Sequence, residues 1–363
     1  MDNYIGIMSG TSLDGIDAVL VETDGERIRL RTRSGSPFEP GLRGRLLALA
    51  DGGTVTAREW GELDAELGRA YAGVVLQLLA ESGRQASDIR AIGCHGQTIW
   101  HQPDGPLPFS LQLGDGNRLA AETGITTIND FRRKDMALGG QGAPLVPAFH
   151  RQVLGGTDRV RLVVNIGGIA NITVLTPDAP VLGYDVGPGN MLMDLWCQRH
   201  TGQPFDRDAT LARQGRVLPA LLTTLLAEPW LALPAPKSTG RELFNESWLD
   251  RQLTGDEAEA DVQATLAEFT VTAIAHEAEK WPAGELLVCG GGGHNPLLLE
   301  RLAALLPGWR VDTTNAVGVD MDAMEAMAFA WLAHQTLHGL AGNLPAVTGA
   351  RRPAILGAIH LPG

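Results

Sequence analysis

A segment of small and polar residues near the start of the chain has the composition of a phosphate-binding turn. Residues 6–17 read Gly-Ile-Met-Ser-Gly-Thr-Ser-Leu-Asp-Gly-Ile-Asp. Glycines let the backbone approach a ligand closely, while amide and hydroxyl groups converge on an anion. A plain hairpin needs only two turn residues, so seven small or polar residues between apolar strands favour a binding role. Asp14 offers the carboxylate that hydrated Mg²⁺ prefers.

Two further glycine-rich segments repeat this chemistry later in the chain. Residues 165–171 read Asn-Ile-Gly-Gly-Ile-Ala-Asn, and they can hold phosphates from the other side. Residues 290–293 are four glycines between a predicted strand and a predicted helix. A backbone without side chains suits a flat ring such as adenine, or its ribose. The segment at residues 165–171 is a weak signal alone, but paired with residues 6–17 it predicts a nucleotide site.

Asp185 is the candidate general base. It lies at the end of a predicted strand, directly before a Gly-Pro-Gly turn at residues 187–189. Strand ends in α/β proteins face clefts, and a carboxylate there can deprotonate a water or a hydroxyl group. A helix-capping role beside the helix that starts near Asn190 fits the same pattern equally well.

Three other motifs bring hydrogen-bonding side chains to the ends of predicted elements. They are residues 95–98 (His-Gly-Gln-Thr), 132–135 (Arg-Arg-Lys-Asp) and 322–325 (Asp-Ala-Met-Glu). A polyhydroxylated or carboxylated substrate needs such groups, although a surface role is at least as compatible with each motif alone. Glu325 is the most suggestive, because its neighbours are apolar.

The elements that must position these residues alternate between strands and helices. Strands are predicted at Tyr4–Met8 and Asp17–Glu22, and the apolar periodicity predicts a helix at Ala57–Ser82. The opening strand–glycine turn–strand pattern recurs at residues 161–176. This weak repeat predicts two related α/β halves. A final helix is predicted at Asp322–Leu337.

Composition excludes several classes of function. The 363 residues carry a net charge of −13 without a Lys- or Arg-rich stretch, so nucleic acid is not an expected partner. The three cysteines show neither metal-binding nor CxxC spacing. No signal peptide and no membrane-length apolar run is found, which predicts a cytoplasmic protein without a membrane partner. P-loop, GxGxxG, GxSxG and HExxH motifs are absent.

Eight motifs together resemble the anhydro-N-acetylmuramic acid kinases of the actin/Hsp70/hexokinase superfamily, nearly from end to end. The two most specific are the opening motif and Pro-Lys-Ser-Thr-Gly-Arg-Glu at 236–242. Val186 departs from the family, which commonly has Thr there, and a hydroxyl group is therefore missing beside the candidate base. The other motifs lie at residues 94–98, 113–115, 165–171, 185–190, 288–295 and 322–327.

The resemblance implies an α/β, two-lobed actin/hexokinase-like (ribonuclease H-like) fold, with duplicated mixed sheets flanked by helices. The expected N-terminal lobe spans residues 1–130 and 340–363, and the C-terminal lobe spans 131–339. ATP and Mg²⁺ are the expected cofactors, with Asp14 as the metal ligand and Asp185 as the catalytic residue. The sugar contacts are expected at His95, Gln97, Arg133 and Glu325. The nucleotide contacts are expected at Gly10, Thr11, Ser12, Leu13, Asp14, Gly15, Ile16, Asp17, Gly167, Gly168, Asn171, Gly290, Gly291, Gly292 and Gly293.

The implied reaction phosphorylates 1,6-anhydro-N-acetylmuramic acid and hydrolyses its anhydro bridge in one step. Water activated by Asp185 attacks the anomeric carbon, and the released O6 takes the γ-phosphoryl group of ATP. The product, N-acetylmuramic acid 6-phosphate, belongs to peptidoglycan recycling. Two alternatives remain open, which are an ordinary kinase acting on a free sugar hydroxyl and a non-catalytic sugar-binding regulator. The resemblance also implies a homodimer.

Overall fold

A computed structural model describes residues 1–10, 13 and 15–363, and these residues form two compact units. Unit 1 comprises Met1–Val153 and Ala323–Gly363, and unit 2 comprises Leu154–Asp322. The strands of the described residues are β1 (Asp2–Met8), β2 (Ile16–Thr23), β3 (Ile28–Ser36), β4 (Ile89–Cys94), β5 (Gln97–Gln102), β6 (Phe109–Leu113), β7 (Thr127–Asn129), β8 (Arg161–Ile166), β9 (Ile169–Leu175), β10 (Leu182–Pro188), β11 (Glu285–Cys289), β12 (Arg310–Thr313) and β13 (Ala358–His360).

The longest α-helix, α2 (Ala57–Ser82), has clear start and stop signals. It begins after Thr56, which forms a capping box with Glu59, and ends at Gly83 in a left-handed conformation. The α-helices are α1 (Pro40–Ala50), α2 (Ala57–Ser82), α3 (Gly116–Thr123), α4 (Arg133–Ala137), α5 (Val146–Leu154), α6 (Met191–Thr201), α7 (Pro219–Leu226), α8 (Glu246–Asp250), α9 (Glu259–Ala278), α10 (Pro296–Leu305), α11 (Met324–Leu337) and α12 (Pro345–Thr348).

Both units contain the same strand arrangement. In unit 1 the sheet order is β13-β7-β4-β1-β2-β3, and in unit 2 it is β10-β9-β8-β11-β12. In each, the first three strands pair antiparallel, and the first strand also pairs parallel with a later one. Each unit has its own apolar core between sheet and helices. The predicted α/β fold with duplicated mixed sheets is therefore confirmed.

The unit boundaries differ from the lobes expected from the sequence. Residues 131–153 and 323–339, which were expected in the C-terminal lobe, lie in unit 1. The physical reason is packing, because α11 lies against β1 and β4. Phe149 of α5 in turn contacts Trp331 of α11, with ring centroids 6.0 Å apart.

Two glycines allow α11 to lie directly on the first sheet. A Cβ atom at Gly6 would be 1.8 Å from the carbonyl oxygen of Ala326, and one at Gly93 would be 2.0 Å from that of Phe329. No side chain fits in these gaps, so the backbones of β1, β4 and α11 are in direct contact. The contact fixes the first turn of α11, which carries Glu325.

None of the helices in the described part of the chain is both long enough and apolar enough to cross a membrane.

We expect Gly93→Ala to lower the free energy of unfolding by about 1–3 kcal/mol, because the added methyl group overpacks the contact with Phe329. Gly73→Ala is the matched control, since a Cβ there meets nothing within 4 Å on the exposed face of α2. Alanine at Gly73 should be neutral or slightly stabilising. Chemical denaturation of both variants measures the difference, and equal stabilities would contradict the close contact.

Candidate active site

The turn after β1 is tied to several parts of unit 1. The Gly10 carbonyl accepts hydrogen bonds from the Leu13 amide and from Nε2 of Gln97, both at 3.2 Å. The Leu13 carbonyl accepts one from Nε of Arg43 at 2.7 Å. Ser9 Oγ lies 2.8 Å from the Tyr71 hydroxyl oxygen. These bonds give Ser9, Gly10 and Leu13 defined positions at the carboxyl end of β1.

Part of the predicted nucleotide set falls outside the described residues, namely Thr11, Ser12 and Asp14. Of the others, Leu13 and Ile16 have buried side chains that belong to the core of unit 1. Only their backbone atoms can therefore face a ligand. Gly15 precedes β2, and the side chain of Asp17 is exposed on β2.

The predicted residues His95 and Glu325 share a neighbour, Arg132. Nη2 of Arg132 donates to Nε2 of His95 at 2.7 Å. Because a guanidinium only donates, this nitrogen of His95 is an acceptor and the imidazole is neutral with its proton on Nδ1. Burial, reinforced by the Arg132 charge, holds the pKa of His95 well below its usual range. The site in unit 1 therefore contains a neutral histidine.

Glu325 lies in an environment that raises its pKa. Burial raises its pKa, the Arg132 charge opposes this effect, and the nearby Asp17 carboxylate adds to it. Burial also lowers the pKa of Arg132 to about 10, against the charges of Glu325 and Asp135. Arg132 therefore stays charged at neutral pH and supplies the positive charge next to Glu325.

Arg132 was missed in the sequence analysis, which selected the adjacent Arg133. Arg133 begins α4 and pairs with Asp130, and its side chain is 63% exposed. Arg132 instead points inward, and its Nε has no hydrogen-bond partner within the described chain. Two consecutive arginines give no sequence signal for which one turns inward.

A buried carboxylate holds the segment that carries Arg132. Nη1 of Arg132 donates to the Gly142 carbonyl at 2.9 Å, while the Gly142 amide donates to Asp135 Oδ2 at 2.9 Å. Asp135 Oδ1 accepts from Asn343 Nδ2 at 2.6 Å and from Thr348 Oγ1 at 2.7 Å. The C-terminal residues of unit 1 thus fix the loop against which Arg132 rests.

Gln97, another predicted sugar contact, has a partly structural role. Its Nε2 bonds the Gly10 carbonyl, whereas its buried Oε1 has no partner among the residues described. A buried acceptor without a partner is costly, so this oxygen is available to a ligand donor. The position is compatible with the predicted sugar contact.

Asp185 lies within β10 at an irregularity of the sheet, and not at the end of a strand as expected. The pairing with β9 shifts register between Asp185 and Gly187. Oδ2 of Asp185 accepts hydrogen bonds from Ser238 Oγ at 3.1 Å and from the Thr239 amide at 3.0 Å. Both bonds go to one oxygen, which leaves Oδ1 for a water or a substrate.

Burial raises the pKa of Asp185 from 3.8 to about 6. The bonds from Thr239 and Ser238 oppose this shift, Glu242 adds to it and Lys237 opposes it. Such a carboxylate is ionised at neutral pH, yet it is a stronger base than an ordinary aspartate. The helix-capping alternative receives no support, because Asn190 occupies the cap position of α6.

The second glycine turn, between β8 and β9, is joined to the start of α6. The Gly168 carbonyl accepts from the amides of Gly189 and Met191, and the Gly167 carbonyl accepts from the Asn190 amide. Gly168 is exposed, and Asn171 follows on β9 without deep burial. The turn is therefore held from one side and open on the other.

The four glycines after β11 serve different tasks. A Cβ at Gly290 would lie 2.2 Å from Asn165 Oδ1, and one at Gly292 would lie 2.3 Å from Ile166 Cγ2. Gly293 would similarly crowd the Met321 sulfur at 2.9 Å. Three of these glycines are thus closely packed, and Gly291 is the exposed one. The glycine run brings the ends of β8 and β11 into close contact.

Within the described residues, no group of three or more His, Cys, Asp or Glu side chains could hold a metal ion. The expected metal ligand, Asp14, lies outside those residues.

The chain is similar to several known proteins. The family described as "Anhydro-N-acetylmuramic acid kinase" matches residues 2–362. A protein of that name from Vibrio parahaemolyticus is 58% identical over 361 residues, covering 98% of each chain. The one from Vibrio cholerae is 56% identical, covering 99% of this chain and 98% of its own. A ROK family glucokinase from Streptomyces griseus has a TM-score of 0.43 at 16% identity, covering 92% of this chain and 99% of its own.

We expect the Asp185 carboxyl group to titrate near pH 6, because burial favours its protonated form. Ser238→Ala removes a donor to the charged form and should raise this pKa further. The ¹³C shift of the aspartate carboxyl carbons, followed from about pH 4 to about pH 8, measures both values, and Asp185→Asn assigns the signal. Exposed Ser247→Ala is the control. Titration near the ordinary value of about 4 would contradict this environment.

Proposed function

The chain belongs to the anhydro-N-acetylmuramic acid kinase family, and on this premise we propose that it phosphorylates 1,6-anhydro-N-acetylmuramic acid with ATP. The products are N-acetylmuramic acid 6-phosphate and ADP. The observation that carries the proposal is the half-shielded Asp185 carboxylate, with Oδ2 bonded to residues 238–239, Oδ1 free for water and a pKa of about 6.

In the proposed reaction Asp185 is the general base. Its Oδ1 takes a proton from water, and the water oxygen bonds to C1 of the sugar while the C1–O6 bond breaks. O6 then bonds to the γ-phosphorus of ATP, whose bond to the β–γ bridging oxygen breaks to release ADP. Residues 238–239 keep Asp185 oriented during proton transfer, which is the positioning that such a reaction requires.

Arg132, His95 and Glu325 are the proposed sugar contacts in unit 1, together with Gln97. The substrate is a carboxylic acid, and Arg132 supplies a positive charge with an unpartnered Nε. Neutral His95 and Gln97 offer hydrogen bonds to hydroxyl or amide groups. Arg133 remains a predicted contact, although its ion pair with Asp130 favours a surface role.

ATP is proposed to bind the glycine turns. Gly10–Asp17, Gly167, Gly168 and Asn171 would hold the phosphates, and the open side of the β8–β9 turn supports this assignment. Residues 290–293 would contact the adenosine, with exposed Gly291 as the best supported of the four. Mg²⁺ at Asp14 and a cytoplasmic location are further proposals that rest on the sequence, and a homodimer is a proposal that rests on the family resemblance.

We expect ATP turnover to convert the anhydro sugar into a product that is heavier by one phosphoryl group and one water. Asp185→Asn should lower kcat by about 10²–10⁴, because an amide cannot accept the proton. Mass spectrometry and reducing-end detection measure the product, and Asp178→Asn, an exposed change, is the control.

Gain of phosphate without water would instead indicate an ordinary hydroxyl kinase. If neither wild type nor Asp185→Asn shows turnover, the sugar-binding regulator becomes the better explanation.

We expect Arg132→Lys to raise the KM for the anhydro sugar by about tenfold or more, because lysine cannot reproduce the planar set of donors. Arg133→Lys is the matched control and should change the KM by less than about threefold, since its pair with Asp130 is exposed. Steady-state kinetics at saturating ATP separate the two. A larger rise in KM for Arg133→Lys than for Arg132→Lys would instead identify Arg133 as the sugar contact.

A further inference from the structure

A single loop makes most of the contacts that orient Asp185. Besides the bonds from Ser238 and Thr239 to its Oδ2, the amide of Asp185 donates to the Lys237 carbonyl at 3.0 Å. Three consecutive residues of the loop between the 3₁₀ turn Pro229–Ala232 and α8 therefore set the direction of the carboxylate. Any shift of this loop moves the oxygen that accepts the proton.

The side chain of Lys237 anchors this loop within unit 2. It is 3% exposed, and its Nζ donates to the Leu231 carbonyl at 2.7 Å and pairs with Glu277 Oε1 at 3.2 Å. Nζ also lies 4.7 Å from the centroid of the Trp230 ring. A lysine is almost never buried this deeply unless its charge is paired, and Glu277 supplies the paired charge here.

Glu277 on α9 connects the anchor back to the strand that carries Asp185. Its Oε2 accepts a hydrogen bond from the Tyr184 hydroxyl at 3.1 Å, and Tyr184 directly precedes Asp185 in β10. Lys280 also pairs with Oε2, at 2.6 Å. Lys237 and Glu277 thus link the loop at residues 237–239 to α9 and to β10.

Stability alone is a weak explanation for this buried ion pair. Removing two charges from water costs about as much as their attraction returns, and apolar replacements are often neutral. What an apolar pair cannot supply is a directed link between the loop backbone, α9 and Tyr184. The negative charge of Glu242 raises the pKa of Asp185, whereas the positive charge of Lys237 lowers it and so favours the ionised carboxylate.

We propose that Lys237 is a positioning residue for Asp185, holding residues 237–239 against α9 so that Oδ1 of Asp185 points to the reacting water. This inference rests on the proposed role of Asp185 as the base.

The test compares Lys237→Met with a matched change elsewhere in unit 2. Arg161 is 12% exposed and pairs with Glu285, which is 7% exposed and keeps a second partner in half-exposed Arg310. In the same way Glu277, 6% exposed, keeps Lys280 when Lys237 is lost. Arg161→Met therefore removes an equivalent buried cation without touching the loop at residues 237–239.

We expect Lys237→Met to lower kcat by about 10²-fold with little change in either KM, because misplacement of the base affects the transition state. The acid limb of the pH–kcat profile and the ¹³C titration of Asp185 should both move to higher pH. Lys237→Arg should restore part of kcat. Arg161→Met should lose stability but keep kcat and the Asp185 titration.

A folded Lys237→Met protein with unchanged kcat and unchanged Asp185 titration would overturn the proposal, and so would an equal loss of kcat in Arg161→Met.

If Lys237→Met does not fold, Lys237→Met/Glu277→Gln removes both charges while keeping an acceptor for Tyr184. That double variant should fold with reduced kcat, and full activity would again overturn the proposal. Because the Asp185 titration needs no turnover, an inactive wild type would contradict the proposed function and leave this test valid.

Discussion

Burying carboxylates without neutralising them is the constraint from which the polar architecture of both units follows. A buried carboxylate must accept several hydrogen bonds or face a positive charge. In unit 1, Asp135 meets this need with three donors. In unit 2, Glu277 gathers Lys237, Lys280 and Tyr184.

Asp185 differs from these carboxylates because its hydrogen bonds go to only one of its two oxygens, Oδ2. Its two bonds to residues 238–239 keep the charged form accessible, and burial keeps its basicity high. The other carboxylates fix the segments around it or around Arg132. Asp135 and Glu277 therefore have their partners within the protein, whereas Oδ1 of Asp185 is available to a water or a substrate.

Sequence reasoning worked where local signals decide the structure. The helix at Ala57–Ser82 was predicted from its apolar periodicity, and its observed bounds agree. Its capping box and its terminal glycine are local signals as well. The repeated strand–turn–strand pattern predicted two related α/β halves, and the family resemblance implied the duplicated mixed sheets. Asp185 was identified from its motif, but its raised pKa depends on burial that only the folded chain defines.

Other features of the fold depend on contacts between residues that are distant in sequence or on tertiary environment. The place of α11 in unit 1 depends on Gly6 and Gly93, which are more than two hundred residues away in sequence. Inward Arg132 and outward Arg133 are equivalent in sequence and differ only in tertiary environment. Three of the four glycines at 290–293 are explained by packing against residues 165–166 and 321, which no local pattern reveals.

The return of the chain to unit 1 also has a consequence for synthesis on the ribosome. Unit 2 is one continuous segment, whereas β1 and β4 are covered by α11, which is synthesised after unit 2. Unit 2 can therefore bury its core while unit 1 still exposes an apolar sheet face. Nascent chains that stop before residue 323 would expose this face to chaperones and proteases.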